Sequence, residues 1–221
     1  MTYRSAFQRL AQVPEVFTGS DLTMLFGWSS ATASTYLANW RKAGWVKSLG
    51  GRADVHMNLA MNRHINPELA LRRVFPLATL VGADMLRAAG WTTQILSQPD
   101  VAVPQTGPRY AVDGFNLVGR PDAWFDRVRP GTLSPAQGLR RLLPAWAWAD
   151  MLARAQDRRV RNAWLLPPDD LDFDLIAEDA GVPAALAVFG LDAGLATEAG
   201  YADFYDMVSL LSGVSAPPSP A

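Results

Sequence analysis

Residues 30 to 42, SATASTYLANWRK, place short hydroxyl side chains, one amide and two cations within a single short segment. Hydroxyl and amide groups can exchange hydrogen bonds with base edges, and arginine or lysine can bind guanine or phosphate. The segment contains no aspartate or glutamate, whose carboxylates the phosphates of a nucleic acid would repel. These residue types in this pattern indicate binding to a polyanion, and to duplex DNA in particular.

A helical projection separates the apolar side chains of this segment from the polar ones. Leu37 and Trp40 fall within about 40° of Ala33, and Tyr36 lies on the flank of that group. The remaining arc is small, polar and cationic, and it comprises Ala31, Thr32, Ser34, Thr35, Ala38, Asn39, Arg41 and Lys42. We therefore predict a helix that buries the apolar arc and leaves the other arc accessible to a partner.

Start and stop signals frame this helix and predict two more before it. A first helix is expected over residues 4–12, where apolar residues recur at helical spacing until Pro14. The later signals are a capping-box pair at Thr18 and Asp21 with Ser20 as a competing cap, a stop at Gly27, a cap at Ser29 or Ser30, and a left-handed stop at Gly44. They predict two helices joined by a tight turn.

The residues after the third helix predict a β-hairpin. Two short strands are expected at 45–49 and 54–59, around the tip sequence GGRA, because apolar and polar residues alternate in the second of them. Two helices joined by a tight turn and followed by a hairpin form a winged helix-turn-helix. In a helix-turn-helix, the second helix lies in the major groove of DNA.

Nine side chains are predicted to face the DNA. Asn39 and Arg41 are the candidates for reading bases, and Lys47 and Arg52 on the wing are expected to contact phosphate or the minor groove. The full set is Ser30, Thr32, Ser34, Thr35, Asn39, Arg41, Lys42, Lys47 and Arg52. Two alternatives remain open: a winged helix used for protein contacts, and a compact helical domain with no polyanion partner.

The distribution of charge agrees with a polyanion partner for the N-terminal part. The whole chain has a net charge of −1, but residues 1–64 hold seven Lys/Arg and three Asp/Glu, a charge of +4, and the other 157 residues carry −5. Both lysines of the protein lie within residues 27–59. A basic module at the N-terminus is a signal of nucleic-acid binding, although charge alone does not specify it.

Composition narrows the remaining function classes. The chain has no cysteine and two histidines, which excludes disulfides, thiolate zinc sites and a cysteine nucleophile. No apolar run approaches the roughly 18 residues of a membrane-spanning helix, and no signal peptide is recognised at the N-terminus. We expect a cytoplasmic protein that is not an enzyme, with no cofactor, no metal and no membrane partner, and with an oligomeric state that the sequence leaves open.

The fold class expected for the whole chain is α+β. A winged helix-turn-helix over 1–62 precedes a larger mixed α/β domain rich in helices over 63–213 and a flexible tail over 214–221. Helices in the second domain are expected at 66–74, at 77–89, from Ser134-Pro135, from Pro144, and at 169–179, 183–189 and 199–211, with short strands between 100 and 119.

Three further groups of residues each admit two interpretations. Aspartates at 169, 170, 172 and 174 could hold a divalent metal for nucleotidyl transfer, but no phosphate-cradling loop precedes them, so an acid-rich first helical turn is preferred. Trp146, Trp148 and Trp164 could line a pocket, although a core role is preferred. A third group is a cluster of arginines, which is interpreted as part of a solvent-exposed turn rather than as an extension of the DNA-binding surface. It consists of Arg158, Arg159 and Arg161.

Neither histidine is expected to bind a metal. His56 is predicted on the outer side of a wing strand and His64 in a linker, and no residue with ligand spacing accompanies either of them.

The segment FTGSDLTMLFGWSSATASTYLANWRKAGWVKSLGG resembles the N-terminal winged-helix domain of the AbiEi antitoxins of type IV toxin-antitoxin systems. The following NPELALRRVFPLATLVGADMLRAAGW resembles the helical pair that opens the C-terminal domain of that family, so the resemblance covers residues 15–105. It implies a repressor that binds repeats upstream of its own operon. It also implies an antitoxin that counteracts a nucleotidyltransferase-like toxin without a stable complex.

Two functions from other classes compete with this interpretation. A stand-alone ligand-sensing regulator would have a pocket among the C-terminal tryptophans. A metal-dependent nucleotidyltransferase would bind magnesium and nucleotide through the aspartates.

Overall fold

The computed structural model describes residues 5–50, 53–105, 112–157 and 165–212. The chain divides into two compact units, the first made of Met1–Ala78, Val101–Pro121 and Ser134–Arg140 and the second of Thr79–Asp100, Asp122–Leu133 and Arg141–Ala221. Both units contain helices and strands, so the α+β class is confirmed. The segment predicted as a winged helix lies entirely in the first unit, together with residues 63–78 and two later segments.

The helices and strands have the following bounds. The helices are α1 (Ala6–Leu10), α2 (Gly19–Phe26), α3 (Ser30–Lys42), α4 (Pro67–Val74), α5 (Ala83–Ala88), α6 (Asp122–Arg127), α7 (Pro144–Gln156), α8 (Phe173–Glu178), α9 (Val182–Phe189) and α10 (Glu198–Ser212). The strands are β1 (Val16–Phe17), β2 (Val46–Ser48), β3 (His56–Asn58), β4 (Thr79–Val81), β5 (Asp100–Pro104), β6 (Asn116–Arg120), β7 (Thr132–Leu133) and β8 (Arg140–Leu142). Strand β5 is the neighbour of β6, and β8 lies between β4 and β7.

The helix starts of the first unit follow the predicted capping chemistry. Thr18 caps α2 in a reciprocal capping box, in which the Asp21 amide donates to Thr18 Oγ1 at 3.2 Å and the Thr18 amide donates to Asp21 Oδ2 at 2.7 Å. Of the two candidate caps for α3, Ser29 is the one used, because its hydroxyl accepts from the Thr32 amide at 3.2 Å. Gly27 ends α2 in the left-handed conformation, with φ of 65°.

Three antiparallel strands of the first unit form a sheet in the order β1-β3-β2. Because β3 lies between two strands and α4 packs against both β1 and β3, all three residues of β3 are buried. The predicted alternation of buried and exposed residues is therefore wrong for this strand. His56, expected on the outer side of the wing, is a buried residue with 5% of its surface exposed.

Asn58 ties β3 to the end of α1. Its side-chain amide donates hydrogen bonds to the carbonyl oxygens of Leu10 and Val13, each at 2.9 Å, and its backbone amide donates to the Glu15 carbonyl at 2.8 Å. The side chain is fully buried beside a core cluster from α1, β1, α2, α3 and β2. Asn58 therefore holds the chain that leaves α1 against the sheet.

The segment 134–140 is not a helix, although Ser134-Pro135 predicts a helix start. The side chains of α4 bind its backbone instead: Arg72 donates to the carbonyl oxygens of Pro135 and Gly138, and Glu68 Oε2 accepts from the Leu139 amide at 2.9 Å. Gly138 has φ of 92°, a conformation outside the helical region. Tertiary hydrogen bonds therefore override the local start signal.

The second unit is organised around α7, which packs against α5 and α9. The predicted helix from Pro144 is confirmed, and Trp146 and Trp148 belong to its buried side. The single helix expected over 77–89 is wrong, because β4 and α5 occupy that range and Gly82, with φ of 75°, separates them. Helix α6 was not predicted.

Helices in the described part of the chain are all too short or too polar to cross a membrane.

We predict that Asn58→Leu lowers the free energy of unfolding by about 2–3 kcal/mol, because leucine cannot donate and the buried Val13 carbonyl is left without a hydrogen bond. Urea unfolding followed by circular dichroism measures the change. Asn39→Ala, which alters an exposed asparagine, is the matched control, and it should change the free energy by less than about 0.5 kcal/mol. Equal stabilities for the two variants would contradict the structural role of Asn58.

Candidate nucleic-acid interface

Helix α3 buries the predicted arc and exposes the other. Ala33, Leu37 and Trp40 retain 2%, 6% and 1% of their surface. Lys47 on β2 is exposed. The candidate residues on α3 are also all exposed: Ser30, Thr32, Ser34, Thr35, Asn39, Arg41 and Lys42. Arg52, at the predicted wing tip, lies outside the described residues. The seven exposed candidates on α3 form one surface of that helix, called here the polar arc.

Some hydroxyls of the polar arc are engaged within the helix itself. Thr35 Oγ1 donates to the Ala31 carbonyl at 3.0 Å, and the hydroxyls of Ser29 and Thr32 lie 2.9 Å apart. By contrast, the side chains of Asn39, Arg41 and Lys42 form no hydrogen bond or ion pair with any described residue. Their polar atoms are therefore available to a partner.

The three carboxylates of the first 64 residues bind groups other than the cations of α3. Asp21 belongs to the capping box of α2 and lies 3.5 Å from Arg73, and Glu15 Oε1 accepts from Asn62 at 3.3 Å. Asp54 accepts from the Gly19 amide and lies 3.0 Å from His56 Nε2. Because none of them pairs with a cation of α3 among the described residues, the positive charge of the polar arc is not neutralised internally.

An aromatic stack joins the turn before α3 to the flank of the helix. The ring of Trp28 is stacked on Phe26, with centroids 4.5 Å apart, and on Tyr36, with centroids 4.2 Å apart and planes inclined by 14°. Offset stacking of this kind adds about 0.5–1.5 kcal/mol per pair beyond burial. The sequence does not predict this stack, because the three rings come from two helices and the turn between them.

His56 is the buried histidine of β3. Burial lowers the pKa of His56 below its ordinary value of 6.5, the hydrogen bond and negative charge of Asp54 oppose that shift, and the positive charge of Arg41 adds to it. His56 Nδ1 is buried and has no hydrogen-bond partner among the described residues. His64, the other histidine, is exposed.

Two of the four aspartates at 169, 170, 172 and 174 serve local structure. Asp172 Oδ1 caps α8 by accepting from the Leu175 amide at 3.1 Å, and Asp170 Oδ2 accepts from Gln94 Nε2 at 2.8 Å. Together with residues 90–93 and Glu198 they line an open groove of about 500 Å³. Within the described ranges, no three acidic or histidine side chains are grouped so that they could hold a metal ion.

Two of the three C-terminal tryptophans can be placed. Trp146 and Trp148 are buried in the core of the second unit, as preferred from the sequence. Trp164 and the arginines at 158, 159 and 161 lie outside the described residues.

No protein-family model matches the chain, and no curated protein matches it.

We predict that native stability falls as the pH is lowered from about 7.5 to 5. In the unfolded chain His56 takes up a proton near pH 6.5, whereas burial in the folded protein opposes protonation of this side chain. The unfolded state therefore binds more protons, and it is stabilised relative to the folded state as the pH falls. For one proton the slope cannot exceed about 1.4 kcal/mol per pH unit. Urea unfolding at several pH values should show a shallower dependence in His56→Gln. His64→Gln, which removes the other histidine, should show the same pH dependence of stability as the parent protein. Loss of the pH dependence in His64→Gln rather than in His56→Gln would contradict the assignment to His56.

Proposed function

We propose that this protein is a sequence-specific DNA-binding transcriptional regulator that uses a winged helix-turn-helix formed by α2, α3 and the β2–β3 hairpin. The observation that carries the proposal is the polar arc: its candidate side chains are exposed together on one helix, and no described carboxylate neutralises its cations. A surface of hydroxyls, amide and cations is complementary to a duplex, whose outer surface is anionic and whose groove floor carries hydrogen-bonding groups.

In the proposed complex α3 lies in the major groove, which is about 12 Å wide and admits one helix. Asn39 and Arg41 are assigned to base edges, since an amide can form two hydrogen bonds with adenine and a guanidinium can form two with guanine. Lys42 and Lys47 are assigned to phosphates, where they supply affinity and register without reading sequence. Arg52 is assigned to the wing contact on the basis of the sequence alone.

The resemblance to the AbiEi antitoxins supplies the biological part of the proposal. On this basis the DNA is an operator upstream of the protein's own operon, and the protein acts there as a repressor in the cytoplasm. The functional partner is a nucleotidyltransferase-like toxin that the C-terminal domain predicted over residues 63–213 counteracts without binding it stably.

We predict two different effects for three substitutions in the polar arc. Asn39→Ala and Arg41→Ala should each cost about 1–3 kcal/mol of binding to upstream DNA and relax the preference at one base position. Lys42→Ala should weaken binding to upstream and unrelated duplexes alike, and lower the slope of log K against log salt concentration by about 1. Fluorescence anisotropy with both duplexes over a range of salt concentrations measures all three.

Arg127→Ala is the matched control, because it removes an exposed arginine from α6 in the second unit. It should leave affinity, preference and salt slope unchanged. If Asn39→Ala and Arg41→Ala both retain the full preference of the parent, the polar arc does not read sequence and the proposal is wrong.

The antitoxin part is tested separately by co-expression. If a nucleotidyltransferase-like protein encoded beside this gene arrests growth, this protein should restore growth, and affinity purification should recover no stable complex. The double variant Asn39→Ala/Arg41→Ala should still restore growth, because the substitutions lie in residues 1–62 and the antitoxin activity is assigned to residues 63–213. Continued arrest in the presence of the parent protein would remove the antitoxin assignment and leave the DNA-binding proposal intact.

A further inference from the structure

Arg9 of α1 lies over the aromatic stack that borders the polar arc. Its guanidinium carbon is 5.3 Å from the ring centroid of Tyr36 and 5.7 Å from that of Trp28. Its Nη1 donates a hydrogen bond to the Tyr36 hydroxyl. Both rings are half-buried, so a side chain that would otherwise be mobile is held in one position on the surface of the first unit.

The location of Tyr36 places Arg9 beside a particular edge of α3. In the helical projection Tyr36 lies about 60° from Ala33 on the same side as Thr32 and Asn39, whereas Arg41 lies on the other side. Arg41 lies five residues before β2, and α3 packs against that strand of the hairpin. Arg9 therefore flanks the Asn39 edge of the polar arc, opposite the edge next to the wing.

The charge of Arg9 is not neutralised by the protein. The carboxylates of Glu15, Asp21 and Asp54 all bind other groups, and no described carboxylate forms an ion pair with Arg9. One N–H group of the guanidinium is used by Tyr36, which leaves donors for an external acceptor. An unpaired arginine at the border of a carboxylate-free helix face is suited to an anionic ligand.

We infer that Arg9 is a phosphate contact of the proposed DNA complex, held ready by Tyr36 and Trp28; this inference rests on the proposed function. The planar guanidinium matches two oxygens of a phosphate, which a lysine ammonium cannot do in the same way. Stacking on the rings fixes the side chain before DNA arrives, so less conformational entropy is lost on binding. Arg9 thus clamps the backbone on one side of α3 while the wing contacts it on the other.

The test compares Arg9→Met with the parent protein on two duplexes, the DNA upstream of the gene and an unrelated sequence of equal length. Methionine removes the charge but keeps a side chain that packs on aromatic rings. We expect affinity for both duplexes to fall about tenfold, because a charge-assisted hydrogen bond is lost, and the salt slope to fall by about 0.9. Thermal unfolding checks the fold, and Arg9→Gln replaces Arg9→Met if that variant does not fold.

Three other results would overturn the inference. Parent-like affinity and salt slope in Arg9→Met, beside a lowered slope in Lys42→Ala, would show that Arg9 is not a contact while the proposed function stands. A loss confined to the upstream duplex would indicate base reading rather than phosphate binding. No salt-dependent binding of the parent to either duplex would reject both the inference and the proposed function.

Discussion

Burial of one arc of α3 is the constraint on which the first unit depends. Leu37 and Trp40 are almost completely removed from water, and burial of side chains of this size contributes about 2 kcal/mol or more each. Turning the helix by half a revolution about its axis would expose both and place Lys42 in the core, where an unpaired charge is far too costly. The rotation of the helix is thus decided by its apolar side, and exposure of the polar arc follows.

The carboxylates of the first unit support this arrangement by being used for structure. Asp21 satisfies backbone donors at the start of α2, and Asp54 joins that same start to the β3 strand through Gly19 and His56. Both carboxylates are bound at the start of α2, and no described carboxylate forms an ion pair with a cation of α3. The surface that is proposed to meet DNA keeps its positive charge for that reason, although the protein as a whole is close to neutral.

Sequence interpretation failed where long-range hydrogen bonds compete with local signals. Ser134-Pro135 has the pattern of a helix start, but Glu68 and Arg72 bind the backbone that follows it. His56 follows the alternation of an outer strand position, yet pairing of β1 and α4 packing bury it. In both cases the partner is supplied by residues far away in the chain, which periodicity within a short window cannot reveal.

The sequence by itself determined the α+β class, two candidate caps each for α2 and α3 and which arc of α3 is buried, because capping and helical periodicity act over three or four residues. Only the tertiary structure decided that Arg9 lies over Trp28 and Tyr36, and that Asn58 holds α1 to the sheet. These contacts join residues separated by many positions, and they form only when packing of the core brings the elements together. Local capping and periodicity determined where α2 and α3 form, and burial of apolar side chains determined which elements pack against them.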